Sequence, residues 1–239
     1  DLDAIPQAAL ERANLLFLDY PNNPTGAVVE PGYFELAVEF ARANDVVVVH
    51  DNAYSELCYD GYRAPSFLET PGAKDVGVEI FSLSKGWNMT GWRSGLVAGN
   101  AEVVERFRQL KTNLYSGMFE AVQKATIAAL TDSRDFPREM SAVYERRRDL
   151  VAEALGAIGL EVDPPRATPY FWVPVPEGQT SASFTELVLE EAGVVVSPGP
   201  SFGPSGEGFV RISLTVADER LEEAARRIES SLRSGIIPP

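Results

Sequence analysis

A lysine set among small hydroxyls, Ser82-Leu-Ser-Lys85, is followed eight residues later by the glycine-flanked arginine of Gly91-Trp-Arg-Ser-Gly95. The lysine comes just after the apolar run Val78 to Leu83, where a strand end would leave it partly desolvated. Desolvation disfavours the ammonium, so a lysine placed this way can offer a neutral, nucleophilic amine. Ser82 and Ser84 bring hydroxyls, and Arg93 brings a planar guanidinium able to hold two phosphate oxygens at once. Amine and phosphate cradle together suit a phosphorylated carbonyl cofactor held on lysine as a Schiff base.

Two upstream stretches narrow this reading. The run Val46-Val-Val-Val49 has the character of a strand buried on both faces, and it delivers His50-Asp51-Asn-Ala-Tyr54 at its carboxyl end. Ligands of open α/β sheets bind at the carboxyl ends of the strands, which places Asp51 where a ligand is expected. Leu15-Leu-Phe-Leu18 is a further apolar strand, opening into Tyr20-Pro-Asn-Asn-Pro-Thr-Gly26. Strand alternation points His50 away from Asp51, so the single histidine is expected to be a packed scaffold residue. Cys58 is expected to be structural as well.

Asn23-Pro-Thr-Gly26, Asp51-x-x-Tyr54, Ser82-x-Ser-Lys85 with Arg93, and Arg211 in Phe209-Val-Arg-Ile-Ser213 resemble the class I/II aminotransferases in order and spacing. These are pyridoxal 5′-phosphate enzymes of fold type I. Tyr20-Pro-Asn-Asn-Pro-Thr-Gly26, Asp60-Gly-Tyr-Arg-Ala-Pro-Ser66 and Asn88-Met-Thr-Gly-Trp92 look most like the bacterial LL-diaminopimelate aminotransferase branch, near the aspartate aminotransferases. The resemblance implies that an amino group moves between an amino acid and a 2-oxo acid, with LL-diaminopimelate or an aspartate-like donor. Lys85 is implied as the cofactor's lysine and the proton carrier, and Asp51 as the partner of the pyridine nitrogen. Tyr54 and Asn23 match residues that bind the cofactor 3′-oxygen; Ser82 and Arg93, and less strongly Ser84, match phosphate ligands. Arg211 is implied in gripping the substrate α-carboxylate, and Asn23 is implied as a second substrate-binding residue. A homodimer is implied for the full-length protein. Pro169, in Arg166-Ala-Thr-Pro-Tyr-Phe-Trp172, stands where many relatives carry an aromatic residue, so the substrate side-chain pocket is expected to differ.

Rival readings use the same residues. A carbon–sulfur β-lyase would employ the same lysine for elimination, and its release of pyruvate and ammonia without an acceptor acid distinguishes it. A cofactor-sensing module or an inactive fragment are the alternatives outside catalysis. The family's Gly/Ser-rich phosphate loop and ring-stacking aromatic residue have no counterpart here, so the chain is expected to be the C-terminal part of such an enzyme.

Composition sets outer limits. A net charge of −14, from 21 basic and 35 acidic residues, disfavours nucleic-acid binding as the main role. One cysteine rules out an internal disulfide framework and, with no signal-peptide pattern or membrane-length apolar run, points to the cytoplasm. One histidine and one cysteine leave no transition-metal site in view.

The elements that must position these residues follow from periodicity. Glu30 to Asn44 carries a helical stripe at Phe34, Ala37, Val38 and Ala41 between two strands. Val78 to Leu83 and Leu96 to Ala98 are further strands, and Asn100 caps a helix to about Lys111 with Val103, Val104, Phe107 and Leu110 inward. Phe119 to Leu130 suits a buried helix, and Pro137 opens a long helix to about Ile158. Beyond it, strands are expected at Phe171 to Val175, Val194 to Val196 and Phe209 to Leu214. A helix capped by Ser183-x-x-Glu186 ends near Gly193, and a last helix spans about Glu219 to Arg233. The fold class is therefore α/β: residues 1–150 form a partial large domain with a mostly parallel sheet and helices on both faces. Residues 151–239 form a smaller α+β C-terminal domain.

Overall fold

The computed structural model describes residues 1–115 and 117–232. The chain divides into two compact units. The first comprises residues 1–21, 28–57 and 63–140, and the second comprises 22–27, 58–62 and the segment from Ser141 onward.

In chain order the first unit holds α1 (Gln7–Leu10), β1 (Leu15–Asp19), α2 (Tyr33–Asn44), β2 (Val47–Asp51) and α3 (Ala73–Val76). It continues with β3 (Gly77–Ser82), α4 (Leu83–Gly86), β4 (Gly95–Gly99), α5 (Ala101–Leu114) and α6 (Glu120–Thr131). The strands form one sheet in the order β1-β2-β3-β4. β1, β2 and β3 run parallel and β4 returns antiparallel to β3. The stripe of α2 works as its spacing implies: Phe34, Ala37, Val38 and Ala41 are buried in one cluster with Leu18, Val48 and Phe67. Asn100 caps α5, its Oδ1 accepting the N–H groups of Glu102 and Val103, both at 3.1 Å.

Two expectations about burial are corrected. α5 buries no residue, with Phe107 and Leu110 at 47% and 59% exposure. α6 buries only Thr126 and Ala129, while Ile127 is exposed. Periodicity had identified an apolar stripe on α5, but a stripe does not specify what covers it, and within this unit little does.

The second unit contains most of α7 (Phe136–Ala157), then β5 (Tyr170–Pro174), α8 (Ser181–Ala192), β6 (Ser197–Pro198), β7 (Phe209–Ser213) and α9 (Asp218–Leu232). Its strands form an antiparallel sheet in the order β5-β7-β6. Phe171, Val173, Val210 and Leu214 are buried in or beside this sheet, as are Phe184 and Val188 of α8 and Leu221, Ala225 and Ile228 of α9. The capping box of α8 lies three residues earlier than expected. Thr180 is the cap and accepts the Ser183 N–H at 3.1 Å, while the Ser183 hydroxyl oxygen accepts the Thr180 N–H at 2.9 Å. The strand expected at Val194 to Val196 is instead the short β6 at Ser197–Pro198. Arg233, the expected end of the last helix, lies outside the described residues.

Among the described residues, no helix is long and apolar enough to cross a membrane. Nor does any group of three or more histidine, cysteine or acidic residues stand where it could hold a metal ion.

Candidate active site

Parallel pairing in the first unit puts the carboxyl ends of β2 and β3 at the same edge of the sheet, with Asp51 opposite Ile80 in register and Ser82 closing β3. The chain then turns directly into α4, which carries Ser84 and Lys85. The Ser82 hydroxyl oxygen accepts the Ser84 N–H at 3.2 Å and so starts this turn. Its own O–H remains a donor. Gly86 follows because the backbone here runs against Glu56: a Cβ at this position would lie 2.7 Å from the Glu56 Cβ.

Lys85 is half-buried, with Nζ 5.7 Å from the centre of the Tyr54 ring. Among the described residues its ammonium has neither an ion-pair partner nor a hydrogen-bond acceptor. Asp51 is half-buried too, and burial pushes its carboxyl pKa up, opposed by the Ala53 N–H and by the charge of His50. Its anion is therefore under-compensated, and a protonated ring nitrogen would relieve that. The residues present fit a pyridoxal phosphate in this respect: an amine without a partner, and a desolvated carboxylate at the same sheet edge.

The other candidate phosphate ligands sit in the loop after α4. The Thr90 hydroxyl donates to the Ser84 carbonyl at 2.8 Å, and Arg93 Nη1 donates to the Thr90 carbonyl at 3.3 Å. Arg93 is exposed and adopts a left-handed backbone, φ 53°. A non-glycine residue in that region costs on the order of 1 kcal/mol and clusters at ligand clamps. Trp87 anchors the same loop, its Nε1–H donating to the Ala129 carbonyl at 3.0 Å.

Asn23 and Arg211 belong to the second unit and face each other there. Arg211 lies on β7 between β5 and β6, and its Nη1 donates to Asn23 Oδ1 at 2.8 Å. Its guanidinium carbon stands 4.3 Å from the centre of the Tyr170 ring and 4.5 Å from that of Phe202, and its Nε is buried without a partner. Two rings thus hold the planar group, which keeps a buried donor unused; that donor set suits a carboxylate. Arginine can only donate, so the Asn23 oxygen must face it. Asn22 shapes this loop by accepting the Thr25 N–H at 3.1 Å and the Thr25 hydroxyl proton at 2.6 Å.

Two features were not found by sequence reasoning. Buried Glu79 holds His50, and no local pattern marks an acid inside a strand as structural. Arg148, buried in the middle of α7, pairs with Asp60 through both terminal nitrogens and lies 5.2 Å from the Tyr59 ring centre. This hydrogen bonding holds the Asp60 carboxyl below its ordinary pKa. A cavity of about 520 Å³ in the second unit, walled by Val151, Leu155, Ile212, Leu221 and Ile228, includes none of the candidate site residues.

The first unit thus brings a lysine and an aspartate to the carboxyl edge of a mostly parallel sheet, and the second holds an arginine between two rings on its own small sheet. The chain belongs to the aminotransferase class I and II family, whose model matches residues 1–228. This is a family of pyridoxal-phosphate enzymes, and the fold is that of its fold type I members. The chain is 53% identical to the LL-diaminopimelate aminotransferase of Moorella thermoacetica, over 97% of its own length and 60% of that protein. It is 52% identical to that of Dehalococcoides mccartyi, over 95% and 59%. Among solved structures it resembles substrate-bound BacF from Bacillus subtilis, with TM-score 0.91 and 37% identity over 96% of this chain and 59% of that one. It also resembles a probable N-succinyldiaminopimelate aminotransferase from Thermus thermophilus, with TM-score 0.89 and 42% identity over 97% and 62%. The chain thus spans about 60% of the length of the curated relatives it matches.

Proposed function

We propose that this chain supplies the lysine-bearing part of a pyridoxal-phosphate aminotransferase that moves an amino group between an amino acid and a 2-oxo acid. The observation that carries the reading is Lys85: a half-buried ammonium beside the Tyr54 ring, without a hydrogen-bond or ion-pair partner among the described residues, on the turn that leaves β3. When bound, pyridoxal phosphate supplies an electron-accepting ring for the charge released at the substrate α-carbon.

The chain's own residues have definite tasks in this proposal. Lys85 Nζ takes the proton from the substrate α-carbon and returns it on the other side of the transfer, as base and then acid. The Asp51 carboxylate holds a proton on the ring nitrogen, and its desolvated setting strengthens that charge pairing. Tyr54 O–H and the Asn23 amide donate to the ring oxygen. Ser82, Ser84 and Arg93 bind the phosphate, and Arg211 binds the substrate α-carboxylate. For the donor we propose LL-diaminopimelate, because relatives about half identical to this chain are LL-diaminopimelate aminotransferases. The whole protein is proposed to act as a homodimer in the cytoplasm, which a single cysteine suits.

Amino-group transfer is tested by incubating the protein with pyridoxal phosphate, LL-diaminopimelate and a panel of 2-oxo acids, and measuring the new amino acid. Formation that requires both substrates and stops in Lys85→Ala is expected. Pyruvate and ammonia released from a cysteine-type substrate without an acceptor acid would replace transfer with elimination.

A further inference from the structure

His50 is the only histidine in the chain and is completely buried. Its two ring nitrogens both face acceptors. Nε2 lies 2.9 Å from the main-chain carbonyl oxygen of Tyr20, which can only accept, so Nε2 carries a proton. Nδ1 lies 3.0 Å from Glu79 Oε2. That oxygen already accepts the Phe67 N–H at 2.8 Å and the Ser66 hydroxyl at 2.9 Å, and Ser66 reaches Oε1 as well at 3.0 Å. A carboxyl group receiving this many donors is favoured as the anion, which leaves the shared proton on Nδ1. Phe34 packs on the imidazole at 4.7 Å between ring centres, so the pair sits in apolar surroundings where a charge without its partner would be costly.

We propose that His50 is a permanent imidazolium, fixed by Glu79, and that it acts as a positioning residue for Asp51, keeping the neighbouring carboxylate ionised for the ring nitrogen of the cofactor. This deepens the proposed function and rests on it for the role of Asp51. His50 and Asp51 are adjacent on β2, and alternation sends them to opposite faces, so the cation supports the carboxylate from behind without occupying the ligand side. Burial alone raises the Glu79 carboxyl pKa, but hydrogen bonds from His50, Asn52 and Ser66 and the His50 charge outweigh it and hold the group below its ordinary range.

The other titratable and charged groups around the pair are few. β1 brings Asp19, opposite Asp51 in register, and Tyr20 follows directly after it. α2 brings the rings of Phe34 and Tyr33, and Tyr33 is pushed up to about 12 by burial and by Tyr20, so it remains neutral. The turn after Ser66 brings Glu69, itself tied to Arg63. None of these supplies a second cation beside Asp51.

The test uses the full chain without cofactor, so failure to bind pyridoxal phosphate would count against the proposed function alone. Nitrogen-15 NMR of the single histidine at pH 7 is expected to show protons on both ring nitrogens. A single neutral tautomer would overturn the proposal. Carbon-13 titration of Asp51, assigned by comparison with Asp51→Asn, supplies the second readout. His50→Gln removes the cation and leaves Glu79 without it, and both changes raise the Asp51 midpoint, by about half a unit or more. Ser66→Ala weakens the hold on Glu79 without removing the ion pair and should leave that midpoint in place. An unmoved or lowered midpoint in His50→Gln, or an equal rise in Ser66→Ala, would contradict the assignment. Should His50→Gln fail to fold, the ring-nitrogen readout on the unaltered chain still decides.

Discussion

The carboxylate of Asp51 carries opposite consequences for stability and for function. Its folded-state pKa is raised by burial, so its contribution to stability is present at low pH and is lost as pH rises through the folded value. At pH 7 the ionised group therefore works against the fold. Asp51→Asn is expected to raise the thermal midpoint of the cofactor-free chain at pH 7, with the gain shrinking as pH falls into the carboxylate range. The same change should weaken pyridoxal phosphate binding, because a neutral amide cannot pair with a ring cation. Thermal scans at several pH values check the first effect and a cofactor titration the second; a lower midpoint at pH 7 would contradict the account. Arg211→Lys tests the other end of the site. A lysine cannot keep both the bond to Asn23 and a two-bond grip on a carboxylate. Catalytic efficiency should fall about tenfold, or about 1.4 kcal/mol, chiefly through KM. A fall confined to kcat would assign Arg211 elsewhere.

At the scale of elements, what could be read in advance depended on how local the signal was. The strands ending in Asp51 and Ser82 were legible because a valine run and an apolar hexad lead straight into polar residues, and strand ends are where such folds bind ligands. The Asn100 cap was legible for the same reason. The cap of α8 was misplaced because Thr180, Ser181 and Ser183 all offer hydroxyls within four residues, and only backbone geometry selects Thr180. The bond between Asn23 and Arg211 and the pair of His50 with Glu79 join residues far apart in sequence; strand register brings the second pair together, and the first forms only once the loop at Asn23 reaches β7. Gly86 is a local requirement of the Lys85 turn. Gly86→Ala would set its new methyl 2.7 Å from the Glu56 Cβ and should destabilise the chain by about 1–3 kcal/mol. Denaturant titration reads this directly, and a neutral result would mean the turn can move away.

Across the molecule, apolar surface and strong negative charge act against each other. Phe107, Leu110 and Leu114 on α5 and Leu15 and Phe17 on β1 are all exposed, leaving apolar side chains open on both elements. A net charge of −14 opposes association, and salt screens that repulsion. The chain is therefore expected to associate more strongly as ionic strength rises, and Phe107→Glu with Leu110→Lys should reduce this. Light scattering across a salt series measures both, and salt-independent monomers would refute the expectation.

The central claim is that Lys85 is the lysine that takes the cofactor. The chain has four lysines, Lys74, Lys85, Lys111 and Lys124, so peptide mapping can separate them completely. Lys124 is exposed and paired with Glu120 at 2.8 Å. Treating the protein with pyridoxal phosphate and then borohydride should fix the added cofactor mass on the peptide containing Lys85, ahead of the other three, and Lys85→Ala should abolish that preference. Equal labelling of all four lysines, or preference for another, would contradict the account.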